Sequence, residues 1–524
     1  MKEETKIKIG RLFMLQIPGT KLSEEFSDFC RKYHFGNFCI SAKNASSTEG
    51  LCRLIRDARA LALETTGEYP FLAIDQEGGW VTRFYEGAAM IPGEMAYTAG
   101  GADGDKMFRV GQKLGRIIRA VGCNINDAPV LDVNINPKNP IIGTRSYSDK
   151  PEKVIELGVN FAKGLESEGV MACIKHFPGH GNVASDTHLS FAANDGDPDL
   201  LRKTEFLPFQ KAIEAGVGAI MTAHVTYPAI SPAPGTVSPE IITELLRKEM
   251  GFEGIAITDS LGMKAIANAY PAGEAAVLAI LAGCDQLLYY PGTPESIEAS
   301  VKALTDAVES GRISEAFLDA VCDRIAHQKE RYRLAECEPN PELAKSLIFD
   351  EAAMAENYED MLSAVTCLKN DGVLNSLKDK KILCISPVCQ ALRGVEEARK
   401  QVLSFADLFA SEFKNTTACI FPQEGMTSEV EQALEGDFDV AVLGIFHLNK
   451  IPDQLKLYRA LKEKGRPVVT VLLDSPYAFT DLRDCNGSLT CYGYTSLGVK
   501  ATLEAIKSGS YRGILPVSLP ESEA

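Results

Sequence analysis

Short apolar runs alternate with longer amphipathic stretches through the first 335 residues. The runs predict strands at 37–41, 71–75, 125–133, 171–176, 219–224, 254–259 and 285–289. Between them, apolar positions recur at helical spacing over 48–63, 106–121, 151–168, 200–215 and 240–249. Such alternation predicts a parallel sheet with crossover helices, and seven or eight repeats favour closure into a TIM-like (β/α)8 barrel over an open doubly wound sheet. Nearly every strand ends on a polar or ionisable residue: Asp75, Asp132, His176, His224, Asp259. Barrels of this kind carry their chemistry at the carboxyl ends of the strands, so residues far apart in sequence are expected to converge.

The rhythm breaks at 335–344, AECEPNPELA, where two prolines and acidic residues follow a long helical pattern. It resumes on a smaller scale, with strands expected at 381–386, 418–421, 440–446, 467–473 and 489–492. The division predicted is a barrel over 1–335, a linker at 336–345 and a smaller αβα sandwich over 346–524.

Chemistry concentrates in 171–190, MACIKHFPGHGNVASDTHLS. An apolar strand runs into Lys175 and His176, and Pro178-Gly179 then prevents strand or helix from continuing. Three of the seven histidines (His176, His180, His188) fall here, with Asp186 two residues before His188. A zinc site is disfavoured: the intervening Pro178-Gly179 forbids the helix that would align His176 with His180, and no acidic partner stands at hydrolase spacing. Residues two apart in an extended segment point to one side. Asp186 can therefore orient the His188 ring, leaving the other nitrogen to move a proton near neutral pH. A hydrogen-bonded surface pair is the competing reading.

Composition narrows the partners. The formal net charge of -17 gives no basic surface to neutralise phosphates, so nucleic acid is not an expected partner. The apolar patch from Leu12 to Leu15 is too short for a signal-peptide core or a membrane span, and a cytoplasmic, membrane-free protein is expected. Fourteen scattered cysteines with no Cys-x-x-Cys pair read as reduced, buried thiols.

Taken together, KHFPGHGNVASDTH at Lys175, DQEGGWVTRF at Asp75 and ITDSLGM at Ile257 resemble the β-N-acetylglucosaminidases of glycoside hydrolase family 3. LKNDGVL at Leu368 and GILPVSL at Gly513 extend the resemblance into the second domain. It implies a retaining exo-glycosidase that needs no cofactor and acts on a small GlcNAc-containing carbohydrate, with peptidoglycan-derived fragments as substrates. It assigns Asp259 as nucleophile, His188 as acid/base and Asp186 as its orienting partner. From the residues alone, Asp259 suits a helix N-cap equally well. The resemblance gives substrate binding to Asp75, Arg83, Arg145, Lys175 and His176; structural ion pairing is the alternative for the two arginines. His224 either lines the pocket or caps the barrel. Trp80, the only tryptophan, stands where the family more often has Arg, and either stacks on a sugar or aglycone face or simply packs. Asn182 replaces a commonly acidic residue. Two other outcomes stay open: phosphate in place of water as acceptor, making a phosphorylase, and a non-catalytic sugar-binding protein. The oligomeric state is not readable.

Overall fold

The computed structural model describes residues 1–84, 87–183, 192–389, 403–423 and 425–521. Eight strands form one parallel sheet: β1 Phe13–Gln16, β2 Asn37–Ile40, β3 Leu72–Ile74, β4 Ile125–Asn126, β5 Met171–Phe177, β6 Ala219–Thr222, β7 Ile255–Ile257 and β8 Leu287–Tyr289. Their order is β7-β6-β5-β4-β3-β2-β1-β8. A parallel bridge between Ile257 and Gln286, with the Thr258 N–H donating to the Gln286 carbonyl at 2.9 Å, brings the two ends together into the expected TIM-like barrel. Every residue of these strands except Gln16 is buried. Helices cover the outer face and packed side chains fill the interior, which is why the strands read as unbroken apolar runs.

Two strand expectations in the barrel need correction. β1 was not anticipated; its four residues follow a helix, Glu3–Arg11, after only one intervening residue and gain strand character by pairing with β2 and β8 on both sides. The run 125–133 was expected as one strand, yet the ladder stops at Asn126. Pro129 has no N–H to give a ladder. A bridge at Val130, made by the Lys175 N–H to the Pro129 carbonyl (3.2 Å) and the Leu131 N–H to the Lys175 carbonyl (2.8 Å), keeps the backbone beside β5. The 127–133 segment thereby leaves the ladder, placing Asp127 beside Asp75 and Asp132 beside His176.

The second sheet has six strands: β9 Thr366–Asn370, β10 Ile382–Ser386, β11 Thr416–Ile420, β12 Val440–Ile445, β13 Val468–Leu472 and β14 Gly487–Thr490. Their order is β9-β14-β13-β12-β10-β11; all pairs are parallel except β9 with β14. The edge strand β9 was not expected: only Thr366 of it is buried, so its sequence lacks an apolar run. Apolar clusters lie on both faces of this sheet, one containing Val442 and Val471, the other Leu443 and Leu472.

Helix Pro341–Ile348 begins inside the segment expected as linker, because Asn340 caps it by accepting from the Leu343 N–H and Pro341 suits the first turn. The two sheets are tied at the barrel's loops. Asn134 Nδ2 donates to Tyr477 Oη (2.9 Å), Ser148 Oγ to the Pro516 carbonyl (2.7 Å), and the Ser518 N–H to Asp149 Oδ2 (2.8 Å).

Candidate active site

The turn after β3 and the end of β5 build a buried network of charge. Lys175 Nζ lies 2.8 Å from Asp75 Oδ1 and 2.5 Å from Glu77 Oε1. Arg83 Nη2 donates to Asp75 Oδ2 at 2.9 Å, and Arg145 holds both oxygens of Glu77 at 2.8 Å. Lys175, Arg83 and Glu77 are almost wholly buried, whereas the Asp75 side chain keeps 15% exposure. Asp75 is therefore the member of the network that presents a free edge. Burial pushes the Asp75 carboxyl upward, but the Lys175 and Arg83 cations outweigh it and hold the group below the usual carboxylate range. Glu77 is kept low in the same way, with Arg145 its strongest cation.

Gln76 fixes the turn that carries these groups. Its Oε1 accepts from the Arg83 N–H (2.7 Å) and the Phe84 N–H (3.2 Å), while Nε2 donates to Thr82 Oγ1 (2.6 Å) and the Ala89 carbonyl (2.8 Å). A buried amide with all these partners satisfied defines one loop conformation.

A second cluster centres on Asp132. Its Oδ2 pairs with His176 Nδ1 at 2.7 Å, and its Oδ1 accepts from the His180 N–H at 2.6 Å. The two imidazole rings meet edge to face, 5.8 Å apart. Burial works against the Asp132 anion, but His176 and the backbone N–H groups overcome it and lower the carboxyl. His180 is depressed to about 4, chiefly by burial, so its ring is neutral at pH 7; Asp132 and Asp259 oppose that shift.

Asp259 follows β7 and is half-buried. Its Oδ1 accepts from the Ser260 N–H at 2.7 Å. The next helix is Lys264–Ala269 with Met263 at its N-cap, so Asp259 does not cap it. His224 braces this turn: Nδ1 meets Thr236 Oγ1 at 2.8 Å and Nε2 meets the Ser260 carbonyl at 3.0 Å. The ring is buried, with both nitrogens engaged by protein.

Trp80 is buried, and its indole stacks on Phe446 of the second domain at 5.2 Å and 20°, with His447 6.1 Å away. Asp186 and His188 lie outside the described residues. The sequence reading passed over Glu77, although it stands in the quoted EGG, and over Asp132, although it was recognised as a strand end. His180 stands out in the sequence only as a metal-ligand candidate beside His176, and Asp127, Asn134 and Glu205 carry no signal there. Among the described residues, Cys39, Asp75 and Asp127 bring one potential ligand atom each to within 4.8 Å of one another, but Asp75 already binds two cations.

The model described as "Glycosyl hydrolase family 3 N terminal domain" matches residues 4–327. The chain is 32% identical over 402 residues to "Beta-hexosaminidase A" of Pseudoalteromonas piscicida, covering 72% of this chain and 67% of that one. It is 35% identical over 299 residues to a "Beta-hexosaminidase" of Alkalilimnicola ehrlichii (strain ATCC BAA-1101 / DSM 17681 / MLHE-1), covering 56% and 84%. Among solved structures it is similar to a glycoside hydrolase family 3 beta-N-acetylglucosaminidase from Paenibacillus sp. str. FPU-7, with TM-score 0.90, 30% identity and 99% of each chain covered. Matched over more than half its length, and carrying its ionisable residues at the strand ends of the matching barrel, this chain belongs to glycosyl hydrolase family 3.

Proposed function

We propose that this protein is a retaining exo-β-N-acetylglucosaminidase that releases terminal β-linked GlcNAc, with peptidoglycan-derived fragments as its substrates. The observation that carries the reading is Asp259: a half-buried carboxylate on a braced turn at the end of a barrel strand. The relatives' names supply the sugar class.

In this mechanism an Asp259 oxygen attacks the anomeric carbon as the bond to the leaving oxygen breaks, and the His188 imidazolium gives that oxygen its proton. His188, now neutral, takes a proton from water as the water oxygen attacks the same carbon and releases Asp259. Asp186 holds the ring in the required orientation. A neutral or cationic imidazole avoids placing a second anion beside the nucleophile. Asp75, Arg83, Lys175 and His176 bind sugar hydroxyls, Asp75 through its exposed edge; Arg145 acts through Glu77. Charge-assisted hydrogen bonds from prepaired groups lose little freedom on binding.

Asp259→Asn should lower kcat/KM on 4-nitrophenyl β-N-acetylglucosaminide by about 10³-fold or more. A folded variant with near-normal turnover rejects Asp259 as nucleophile. Product analysis in phosphate buffer belongs to the same experiment: free GlcNAc supports hydrolysis, and GlcNAc 1-phosphate moves the reading to a phosphorylase.

A further inference from the structure

The loop that follows β4 is a compact unit with the sandwich domain at its neck. Residues 132–148 close on themselves: Ser146 Oγ donates to the Asp132 carbonyl (2.6 Å), the Asn134 N–H to the Ser148 carbonyl (3.0 Å), and the Gly143 N–H to Asn134 Oδ1 (3.2 Å). Ile141 and Ile142 pack with Val130 in a small apolar cluster of their own. Two side chains of the loop hold members of the candidate site: Asp132 holds His176, and Arg145 holds Glu77. Asn134 is fully buried, and its other amide atom, Nδ2, donates to Tyr477 Oη at 2.9 Å. Tyr477 lies just past β13 on the short helix Pro476–Leu482, whose Pro476, Phe479 and Leu482 are buried in the sandwich. Ser475 Oγ caps this helix by accepting from the Tyr477 N–H at 3.3 Å, so the phenol is carried on a fixed turn.

We propose that Tyr477, a residue of the sandwich domain, is a positioning residue for the sugar site of the barrel, acting through Asn134. The inference rests on the reading of Asp75, Lys175 and His176 as sugar-binding groups. Asn134 stands two residues after Asp132 and joins the two sides of the loop at Gly143 and Ser148, so a shift of its amide moves Asp132 and Arg145 together. An amide buried this deeply does not tolerate a lost partner: without the phenol its Nδ2 must find another acceptor, and the neck of the loop moves with it. Asp132 and Arg145 stand behind groups that bind the sugar, not behind the carboxylate that attacks it. The effect therefore belongs to KM more than to kcat. The tie and the groups that it sets come from different domains, so sugar affinity depends on how the sandwich is seated on the barrel.

The test compares Tyr477→Phe, Asn134→Ala and the double variant with wild type, each checked for folding by circular dichroism. Steady-state kinetics on the aryl β-N-acetylglucosaminide are read beside hydrogen exchange in 134–148. Tyr477→Phe, which removes only the hydroxyl, should raise KM about fivefold with kcat within about twofold, and should raise exchange in the loop. Asn134→Ala, which also gives up the tie to Gly143, should raise KM further. In that background Tyr477→Phe should add less than about twofold, because the hydroxyl acts through the amide; a merely structural role would leave the two losses independent. Wild-type KM and exchange in Tyr477→Phe overturn the proposal, as does a fall in Tm with KM unchanged. So does a Tyr477→Phe loss that is equally large with and without the Asn134 side chain. If Tyr477→Phe does not fold, Asn134→Ala carries the comparison: a raised KM supports the proposal, and a wild-type KM overturns it. Absence of turnover in the wild type rejects the glycosidase reading instead, and exchange in the single and double variants then decides the tie.

Discussion

Asp127 and Asp75 bring carboxylate oxygens within 4.8 Å of each other, yet they sit on opposite sides of the usual titration range. Lys175 and Arg83 keep Asp75 ionised. Asp127, one residue past β4 and wholly buried, is pushed up to about 8 by burial first and the Asp75 charge second, against the Lys175 and Arg83 cations. The other titratable groups around it are the thiols of Cys39, Cys123 and Cys173, all raised well above their ordinary value by burial. The unfolded chain gives up the Asp127 proton near pH 4, whereas the folded protein holds it to about 8. Folding therefore takes up a proton in that window, and the stability this group supports at low pH is lost as pH rises through it. Asp127→Asn cannot ionise. Its Tm should gain on wild type progressively between pH 5 and pH 8. A difference in Tm that stays constant with pH would show that Asp127 is not held neutral. Little of this was legible beforehand. A residue such as Asp75 announces itself by ending an apolar run, but the state of Asp127 depends on a neighbour fifty-two positions away that only the barrel brings close. Glu77 was hidden for a related reason: within EGG it reads as a turn, and its partners Arg145 and Lys175 are remote in sequence.

At the level of elements, the strands that carry the site were readable because a parallel barrel strand is buried on both faces and must be apolar throughout. The loops after those strands were not, since their shape is set by docking rather than by periodicity. The loop after β5 shows this. The Gly181 carbonyl accepts from the Asn136 N–H at 3.2 Å, and Asn139 Nδ2 donates to the His180 carbonyl at 2.7 Å, so it lies against the segment following β4. A Cβ at Gly181 would fall 1.7 Å from the Val133 carbonyl oxygen, a backbone atom that cannot rotate away. Gly181→Ala should therefore push the two loops apart, lowering Tm by several degrees and kcat/KM by about tenfold or more. Gly216 makes the control. It has φ +86° with nothing within 4 Å of an added Cβ, so alanine there meets only the left-handed backbone penalty of about 1–2 kcal/mol, and turnover in the folded fraction should not change. Equal losses of activity in both variants would mean that the β5–β4 contact does not set the site. In the two large sheets, the strands missed by sequence, β1 and β9, failed for different reasons. β1 is too short to show a period, and β9 is an edge strand whose half-exposed residues carry no apolar signature.

The sandwich domain meets the whole molecule's chemistry through the turn that holds Asp75 and Arg83. Trp80 projects from that turn into an aromatic group formed by Phe446 and Tyr494, whose rings are 5.1 Å apart, so a side chain of the barrel completes the core of the sandwich. Sequence offered two readings of this tryptophan, and only knowledge of which strand end faced the barrel could separate them. Elsewhere the joint is polar: Asn134 with Tyr477, Ser148 with Pro516, and Lys106 bridging to Glu356 and Asp360 at 2.7 Å. An interface that combines a shared apolar core with several satisfied polar ties should make the two parts unfold together. Trp80 is the only tryptophan in the chain, so its fluorescence reports this joint alone, whereas far-UV circular dichroism reports both parts. The two signals should trace a single urea transition in the wild type, and a fluorescence change that runs ahead of the dichroism would show the joint to be a weak hinge. Trp80→Ala empties the stacking position and should lower stability by about 3–5 kcal/mol. Because Gln76 ties the same turn to the Arg83 backbone, the loss should also raise KM for the sugar, through misplacement of Asp75 and Arg83. Trp80→Phe, which keeps an aromatic face against Phe446, should recover most of both. A stability loss with unchanged KM would mean that the sandwich steadies the barrel without shaping its sugar site.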